Sequence, residues 1–157
     1  MLFRSPDAGK ALREFRRVLK PGGRAAVVAW GPPDQPFFST TVGVFSRYVQ
    51  LPPPPPGTPM PFQFARPGSL SAFMHDAAFR QVQEETPTIA WAFPGSVEEC
   101  WEYQREVTGA AFRRVFAALP PALYTQVIDE VLAAIRKYYD GRQVNYTASI
   151  VVASGLR

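Results

Sequence analysis

The sequence predicts an α/β fold, and three observations predict it. Residues 8–19 carry an apolar stripe at helical spacing that ends at Pro21-Gly22-Gly23. Residues 24–30 form an apolar run without alternation, and a second such run, Ile150-Val151-Val152-Ala153, follows a long helical stretch near the end of the chain. Helical periodicity that gives way to short, unbroken apolar runs is the pattern of helices packed on a buried sheet.

Each element follows from local chemistry. Ser5-Pro6-Asp7 reads as a helix start, with Ser at the N-cap, Pro at the first helical position and an acid in the first turn. Ala8, Ala11, Leu12, Phe15, Val18 and Leu19 then fall on one side. Pro21 cannot continue the ladder, and the two glycines after it accept a left-handed turn. Arg24 to Trp30 is predicted as a strand covered on both faces and so placed inside a parallel sheet. It ends at the turn cluster Gly31-Pro32-Pro33-Asp34.

Beyond the turn, residues 37–51 predict one helix with Phe38, Val42, Phe45 and Val49 on a face. Residues 51–61 hold the run Pro52 to Pro56, which favours polyproline II. That run reads as a stiff connector or as a PxxP ligand for an SH3-like partner, with the connector preferred. Ser69 to Ala77 predicts a short helix with Leu70, Phe73, Met74 and Ala77 inward, and Phe79 to Phe93 a strand broken at Pro87. Ser96-Val97-Glu98-Glu99 is a capping box that opens a helix through Val107. Ala110 to Leu119 predicts another helix, and Ala122 to Tyr139 a third, capped by Gly141. Val144 to Ser154 closes the chain as a strand.

The chain has 157 residues, 46% of them hydrophobic, with 12 Phe, 6 Tyr and 3 Trp, which is material enough for one folded domain. One cysteine, Cys100, excludes an intramolecular disulfide, and one histidine, His75, excludes a His-based metal cage. No apolar run reaches the roughly 20 residues of a membrane helix, and no secretory signal opens the chain, so the expected compartment is the cytoplasm, with no membrane partner. The net charge of +4 resides largely in Arg4, Lys10, Arg13, Arg16, Arg17, Lys20 and Arg24. These read as the solvated face of the first helix; no stacking aromatics interleave with them, and no nucleic-acid partner is expected.

Taken in order, Ala11-Leu12-Arg13-Glu14-Phe15-Arg16-Arg17-Val18-Leu19-Lys20-Pro21-Gly22-Gly23-Arg24 resembles a helix and its Leu-Lys-Pro-Gly-Gly turn into strand five of class I S-adenosylmethionine-dependent methyltransferases. The similarity is to the small-molecule type, related to the ubiquinone/menaquinone biosynthesis methyltransferases. Val27-Val28-Ala29-Trp30 agrees with it. Leu70 to Val82 resembles the family's short helix, Ala-Gly-Phe and strand, with Ala78 where the family usually has glycine. Tyr139-Asp140-Gly141 through Ala153 resembles its last helix, loop and strand.

The resemblance implies a partial Rossmann-like sheet with a helical lid insertion, in which the N-terminal cofactor-binding half is missing. It divides a single truncated domain, residues 1–157, into helix and strand five (6–30), a Pro-rich connector (31–68), helix and strand (69–93), helical lid (96–141) and terminal strand (144–154). The chain contains no G-x-G-x-x-G, and Gly22-Gly23 lies between a helix and a strand rather than after the first strand. Residues 1–5 do not resemble the family, and Leu-Phe-Arg-Ser is also the translation of a common sequencing adapter, so these residues are expected to be foreign or the gene truncated.

The implied cofactor of the complete domain is S-adenosylmethionine, and the implied partner a small-molecule methyl acceptor. Binding beyond the carboxyl ends of the strands makes Trp30, Phe37 and Phe38 the substrate-pocket candidates, with ordinary packing the rival role. Trp101, Tyr103 and Tyr139 are candidates for lid lining, with lid-internal core the rival role. His75 is weighed as a general base and not assigned, Cys100 reads as a small buried apolar group, and no catalytic residue is assigned. An interaction module that uses the proline run or the basic helix is the non-enzymatic alternative. An uncovered sheet edge also predicts self-association.

Overall fold

The computed structural model describes residues 7–50, 60–107 and 114–157. The expected cap residue Ser5, the rest of the segment 1–5 expected to be foreign, the run Pro52 to Pro56 and the start of the helix expected from Ala110 lie outside them. The fold is α/β, in two compact units. The first holds residues 7–33, 60–89 and 149–157, and the second 34–50, 90–107 and 114–148.

Helix α1 spans Ala8–Val18. Its N-cap is Asp7, whose Oδ1 accepts from the Lys10 amide at 2.7 Å, so the acid caps the helix rather than sitting inside its first turn. Lys20-Pro21-Gly22-Gly23 follows with Gly23 N–H donating to Lys20 C=O at 2.8 Å and Gly22 at φ +75°. Proline second and a positive-φ glycine third are the residues of a type II turn. The turn leads into β1, Arg24–Trp30.

In the second unit, residues 36–45 make two one-turn helices, α2 (Pro36–Ser39) and α3 (Val42–Phe45), rather than the single helix expected over 37–51. The break falls at Thr40-Thr41, where β-branched hydroxyl side chains bond back to carbonyls: Thr40 Oγ1 to Pro36 at 2.8 Å and Thr41 Oγ1 to Phe37 at 3.0 Å. Helix α4 is Ser69–Asp76, followed by β2 (Arg80–Glu85) and β3 (Thr88–Pro94), with the expected break between them at Pro87. Phe73 is half exposed rather than inward, its ring edge-on to Phe64.

Helix α5 is Val97–Val107, opened by the expected capping box: Ser96 N–H donates to Glu99 Oε2 at 2.7 Å and Glu99 N–H to Ser96 Oγ at 3.1 Å. Residues 114–117 are helical, and α6 is Tyr124–Arg136 after a 3-10 turn at Pro121–Leu123. Lys137 is the C-cap of α6. Gly141, expected there, sits four residues beyond at φ +96° in a tight loop, where Asp140 Oδ1 accepts from the amides of Arg142 and Gln143. The last strand, β4, is Gln143–Leu156.

The sheet order is β1-β4-β2, with β3 also paired to β4. Both β1 and β2 are antiparallel to β4, so they run in the same direction on either side of it without touching. The parallel neighbour expected for β1 is therefore absent among the described residues, and its buried faces are one, not two. Ala25, Val27 and Ala29 point toward the core, whereas Ala26 and Val28 are exposed, Val28 at 54%. Alanine and valine fill both sets, so the residue types hide the alternation.

In the first unit, Leu12 of α1, Leu70 and Met74 of α4, and Phe64 pack on Val27, Ala29, Val151 and Ala153. At Gly155 a Cβ would lie 3.0 Å from Phe79 Cβ and 3.3 Å from Met74 Cε, so the helix sits on bare backbone there. Helix α4 starts at Gly68, which offers no side-chain cap. Glu84 of β2 supplies one: its carboxylate accepts from the Gly68 amide at 2.6 Å and the Ser71 amide at 2.7 Å.

Ala78, between α4 and β2, has φ +63°. A left-handed alanine costs on the order of 1 kcal/mol because Cβ crowds the following carbonyl. Ala78→Gly is therefore expected to raise the unfolding free energy by about 0.5–1 kcal/mol, read as a higher urea midpoint at unchanged slope. A lower midpoint would contradict the strain.

Candidate functional site

The second unit gathers its polar chemistry around one side chain of β4. Val144, Tyr146 and Ala148 alternate inward along the strand and are buried. The Tyr146 hydroxyl meets Gln104 Nε2 from α5 at 3.1 Å and Thr40 Oγ1, after α2, at 3.2 Å. Because the Thr40 hydroxyl donates to Pro36 C=O, its oxygen is the acceptor for Tyr146. The protons therefore run one way, from Gln104 N–H to Tyr146 O–H to Thr40 O–H to the backbone carbonyl.

Aromatic rings enclose this chain. Trp91 lies 6.4 Å and Tyr138 5.1 Å from Tyr146 between ring centroids, and Trp91 also packs on Phe37 at 4.4 Å. Phe38 stands edge-on to Phe37 at 5.0 Å, and Trp101 stacks on Phe45 at 6.0 Å. Burial pushes the Cys100 thiol up to about 11, and it also pushes the Tyr146 phenol well above its ordinary range. At neutral pH both carry their protons. The cluster thus offers directed hydrogen bonds but neither a nucleophile nor a base.

An open groove of about 280 Å³ lies beside it, lined by Ser39, Thr40, Val44, Arg47, Lys137 and Tyr138 among others. Of its two cations, Arg47 pairs with Glu130 at 2.7 Å, and Lys137 occupies the C-cap position of α6, where positive charge offsets the carbonyl end of a helix. Tyr48 donates to the same Glu130 carboxylate; this bond raises the phenol and lowers the acid.

The candidates named from sequence fall in different places. Phe37 and Phe38 are 4% and 8% exposed and belong to the core of the second unit. Trp30 is half-buried at the carboxyl end of β1, in the first unit. Trp101 is buried, Tyr103 is half exposed against Phe93 at 5.2 Å, and Tyr139 is half-buried. His75 is exposed in the last turn of α4, and Cys100 is buried. The basic helix spends its charges locally: Arg16 Nε donates to Ala78 C=O at 3.0 Å, and Arg17 pairs with Glu14 at 2.8 Å.

No family model matches the chain, and no curated protein does. Among solved structures, 99% of the chain aligns with a Bacillus halodurans protein provisionally described as a methyltransferase, at 15% identity and a TM-score of 0.45. It aligns over 99% of its length with the YcgJ protein of Bacillus subtilis as well, at 16% identity and a TM-score of 0.43. The chain spans 65% and 60% of those two proteins, less than two-thirds of either.

Thr40, Gln104 and Tyr146 escaped the reading of the sequence. The alternation Val144-Tyr146-Ala148 signals an inward tyrosine, but nothing in the sequence pairs it with residues 106 and 42 positions away. Among the described residues, no group of three His, Cys, Asp or Glu lies together.

Removing the phenol oxygen leaves two buried groups short of a partner. Tyr146→Phe is expected to lower stability by about 1–3 kcal/mol in urea titrations, against about zero for Tyr124→Phe at the surface. The alkaline limb has a sign as well. Cys100 keeps its proton to about pH 11 when folded against 9.0 unfolded, so its contribution is whole below pH 9 and is lost between 9 and 11. Stability should fall across that interval by about 2–3 kcal/mol, and Cys100→Ala should flatten the fall. An equal slope in both proteins would contradict this.

Proposed function

We propose that the chain is the C-terminal portion of an S-adenosylmethionine-dependent methyltransferase acting on a small molecule, with weak or no cofactor binding of its own. The observation that carries this reading is the unit α1–turn–β1. An amphipathic helix runs through Leu19-Lys20-Pro21-Gly22-Gly23 into a strand that ends in Trp30, with boundaries at Ala8–Val18 and Arg24–Trp30. Two further features support it. The residue standing where the resembled family has glycine, Ala78, adopts the left-handed backbone that glycine accepts most readily. The terminal strand β4 is antiparallel between β1 and β2, in keeping with the closing strands of that family.

The residues of this chain do not fit the cofactor. A sulfonium cofactor of this class is held by a glycine-rich turn from strand into helix, where backbone approaches the ligand. Gly22 instead serves a turn from helix into strand, and a Cβ built on it meets nothing within 4 Å, so it guards no cradle. No step is therefore routed through S-adenosylmethionine on these residues.

For the methyl acceptor, Trp30 is proposed as a contact at the carboxyl end of β1; Phe37 and Phe38, buried in the core of the second unit, take the packing role instead. A broad indole face of this kind excludes water and orients an acceptor, which is most of what in-line displacement asks of a protein when the acceptor is already nucleophilic.

Titration calorimetry tests the reading. The chain alone should give no saturable heat with S-adenosylmethionine below about 1 mM, an affinity weaker than about −4 kcal/mol. A low-micromolar dissociation constant would overturn it. The DNA upstream of the Pro6 codon offers a second test: a strand, a glycine-rich loop, a helix and an acid about 20 residues on are expected in frame. A stop codon abutting a start codon would sink the proposal.

A further inference from the structure

We propose that the groove between α3 and the end of α6 binds a small organic carboxylate, its apolar body on Gly43, Val44 and Ala134 and its charge between Arg47 and Lys137. Such binding is independent of methyl transfer.

The groove belongs wholly to the second unit. Every residue lining it falls within 39–47 or 134–138, so its walls need nothing outside those two stretches. Its space is opened by two small residues on those walls, Gly43 and Ala134. The backbone does not demand the glycine. Gly43 is not among the positive-φ residues, and a Cβ built on it would meet the Phe38 carbonyl oxygen at 3.5 Å and Ser39 Cβ at 3.7 Å, ordinary van der Waals contacts. A glycine within a helix costs stability relative to alanine, so what the missing side chain provides here is room. At about 280 Å³ the groove lies just below the roughly 300–1,000 Å³ of pockets that hold drug-sized ligands, which suits a single ring or a short chain.

Charge sets the sign of the ligand. No carboxylate lines the groove, whereas two cations do, Arg47 and Lys137. The acid nearby, Glu130, has both oxygens occupied: Oε2 accepts from Arg47 Nη2 at 2.7 Å, and Oε1 accepts from the Tyr48 hydroxyl. The first bond takes one nitrogen of a guanidinium whose side chain remains 60% exposed, and it leaves Nε and Nη1 for a ligand. Lys137 is exposed and forms no ion pair among the described residues. The carbonyls at the end of α6 do not consume its ammonium as a donor, since Tyr138 N–H meets Ile135 C=O at 2.9 Å and Tyr139 N–H meets Arg136 C=O at 3.2 Å.

Two cations and one acid leave a single positive charge, which a monoanion matches and a phosphate dianion exceeds. Val44, Ala134 and Tyr138 add an apolar wall that an inorganic anion cannot use. An apolar body ending in one carboxylate satisfies both halves of the groove.

Titration of the isotope-labelled chain with sodium benzoate tests this, read from its amide spectrum at constant ionic strength. The amides of Gly43, Ala134 and Lys137 should shift together and saturate with a dissociation constant of about 1 mM or tighter. Benzamide has the shape without the charge, and inorganic phosphate has charge without the apolar body; each should bind at least about tenfold more weakly. Lys137→Gln should weaken benzoate about threefold or more, as the loss of one exposed charge contact does. Gly43→Leu fills the groove and should abolish binding with the circular dichroism spectrum unchanged. Lys137 is exposed, so its variant decides the question even where Gly43→Leu does not fold. No saturable shift at millimolar benzoate, shifts centred on other residues, an unaltered affinity in Lys137→Gln, or benzamide or phosphate binding as tightly as benzoate would overturn the proposal.

Discussion

Every strand that pairs in the described part of this molecule pairs with β4. Fourteen residues, Gln143–Leu156, accept β1 on one side and β2 on the other, and β3 joins the same strand. The buried set changes along it: Val144, Tyr146 and Ala148 are inward in its first part, and Val151, Ala153 and Gly155 in its last. Side chains of a strand alternate, so the inward set passes from even residues in the first stretch to odd residues in the second. The change falls at Ser149-Ile150, both half-buried, where the chain passes from the second compact unit to the first. One strand thus supplies core to both units.

That change explains what could and could not be read from residue order. Ile150-Val151-Val152-Ala153 looks like a run buried on both faces because it begins at the crossover, where neither parity dominates. The run Arg24 to Trp30 misleads for a different reason: its outward residues are as apolar as its inward ones, although Val28 is exposed. Signals held within a few residues were legible, among them the Ser96–Glu99 box, the Pro21-Gly22-Gly23 turn and the span of α1. Signals that need a distant partner were not. Glu84 caps α4 from another element, and the amide of Gln104 meets the phenol of Tyr146 across 42 residues. The helix expected over 37–51 breaks at Thr40-Thr41, where both hydroxyls bond back to carbonyls of the preceding turn.

Local strain and long-range pairing meet at the junction of α4 and β2. Ala78 and Gln81 both have positive φ, +63° and +49°, and the register of β2 on β4 shifts between Arg80 and Gln83. Non-glycine residues hold such backbones only where their surroundings over-determine them. The surroundings here are specific: Phe79 is buried against Gly155, Arg16 bonds the Ala78 carbonyl, and Glu84 ties β2 back to the start of α4. Packing at Phe79 and Glu84 thus fixes both ends of a segment whose middle is strained.

The position of Trp30 follows from the same strand. It pairs with Ile150, and the next residue, Gly31, lies so close to β4 that a Cβ would stand 2.7 Å from the Ser149 carbonyl oxygen. No other residue type ends β1 in this register without moving the ladder. In doubly wound sheets, ligands gather where strands end at their carboxyl edge, so the geometry of that edge matters more than the identity of the residues upstream. The end of β1 is held to β4 by the bond from the Gly31 amide to the Ser149 carbonyl.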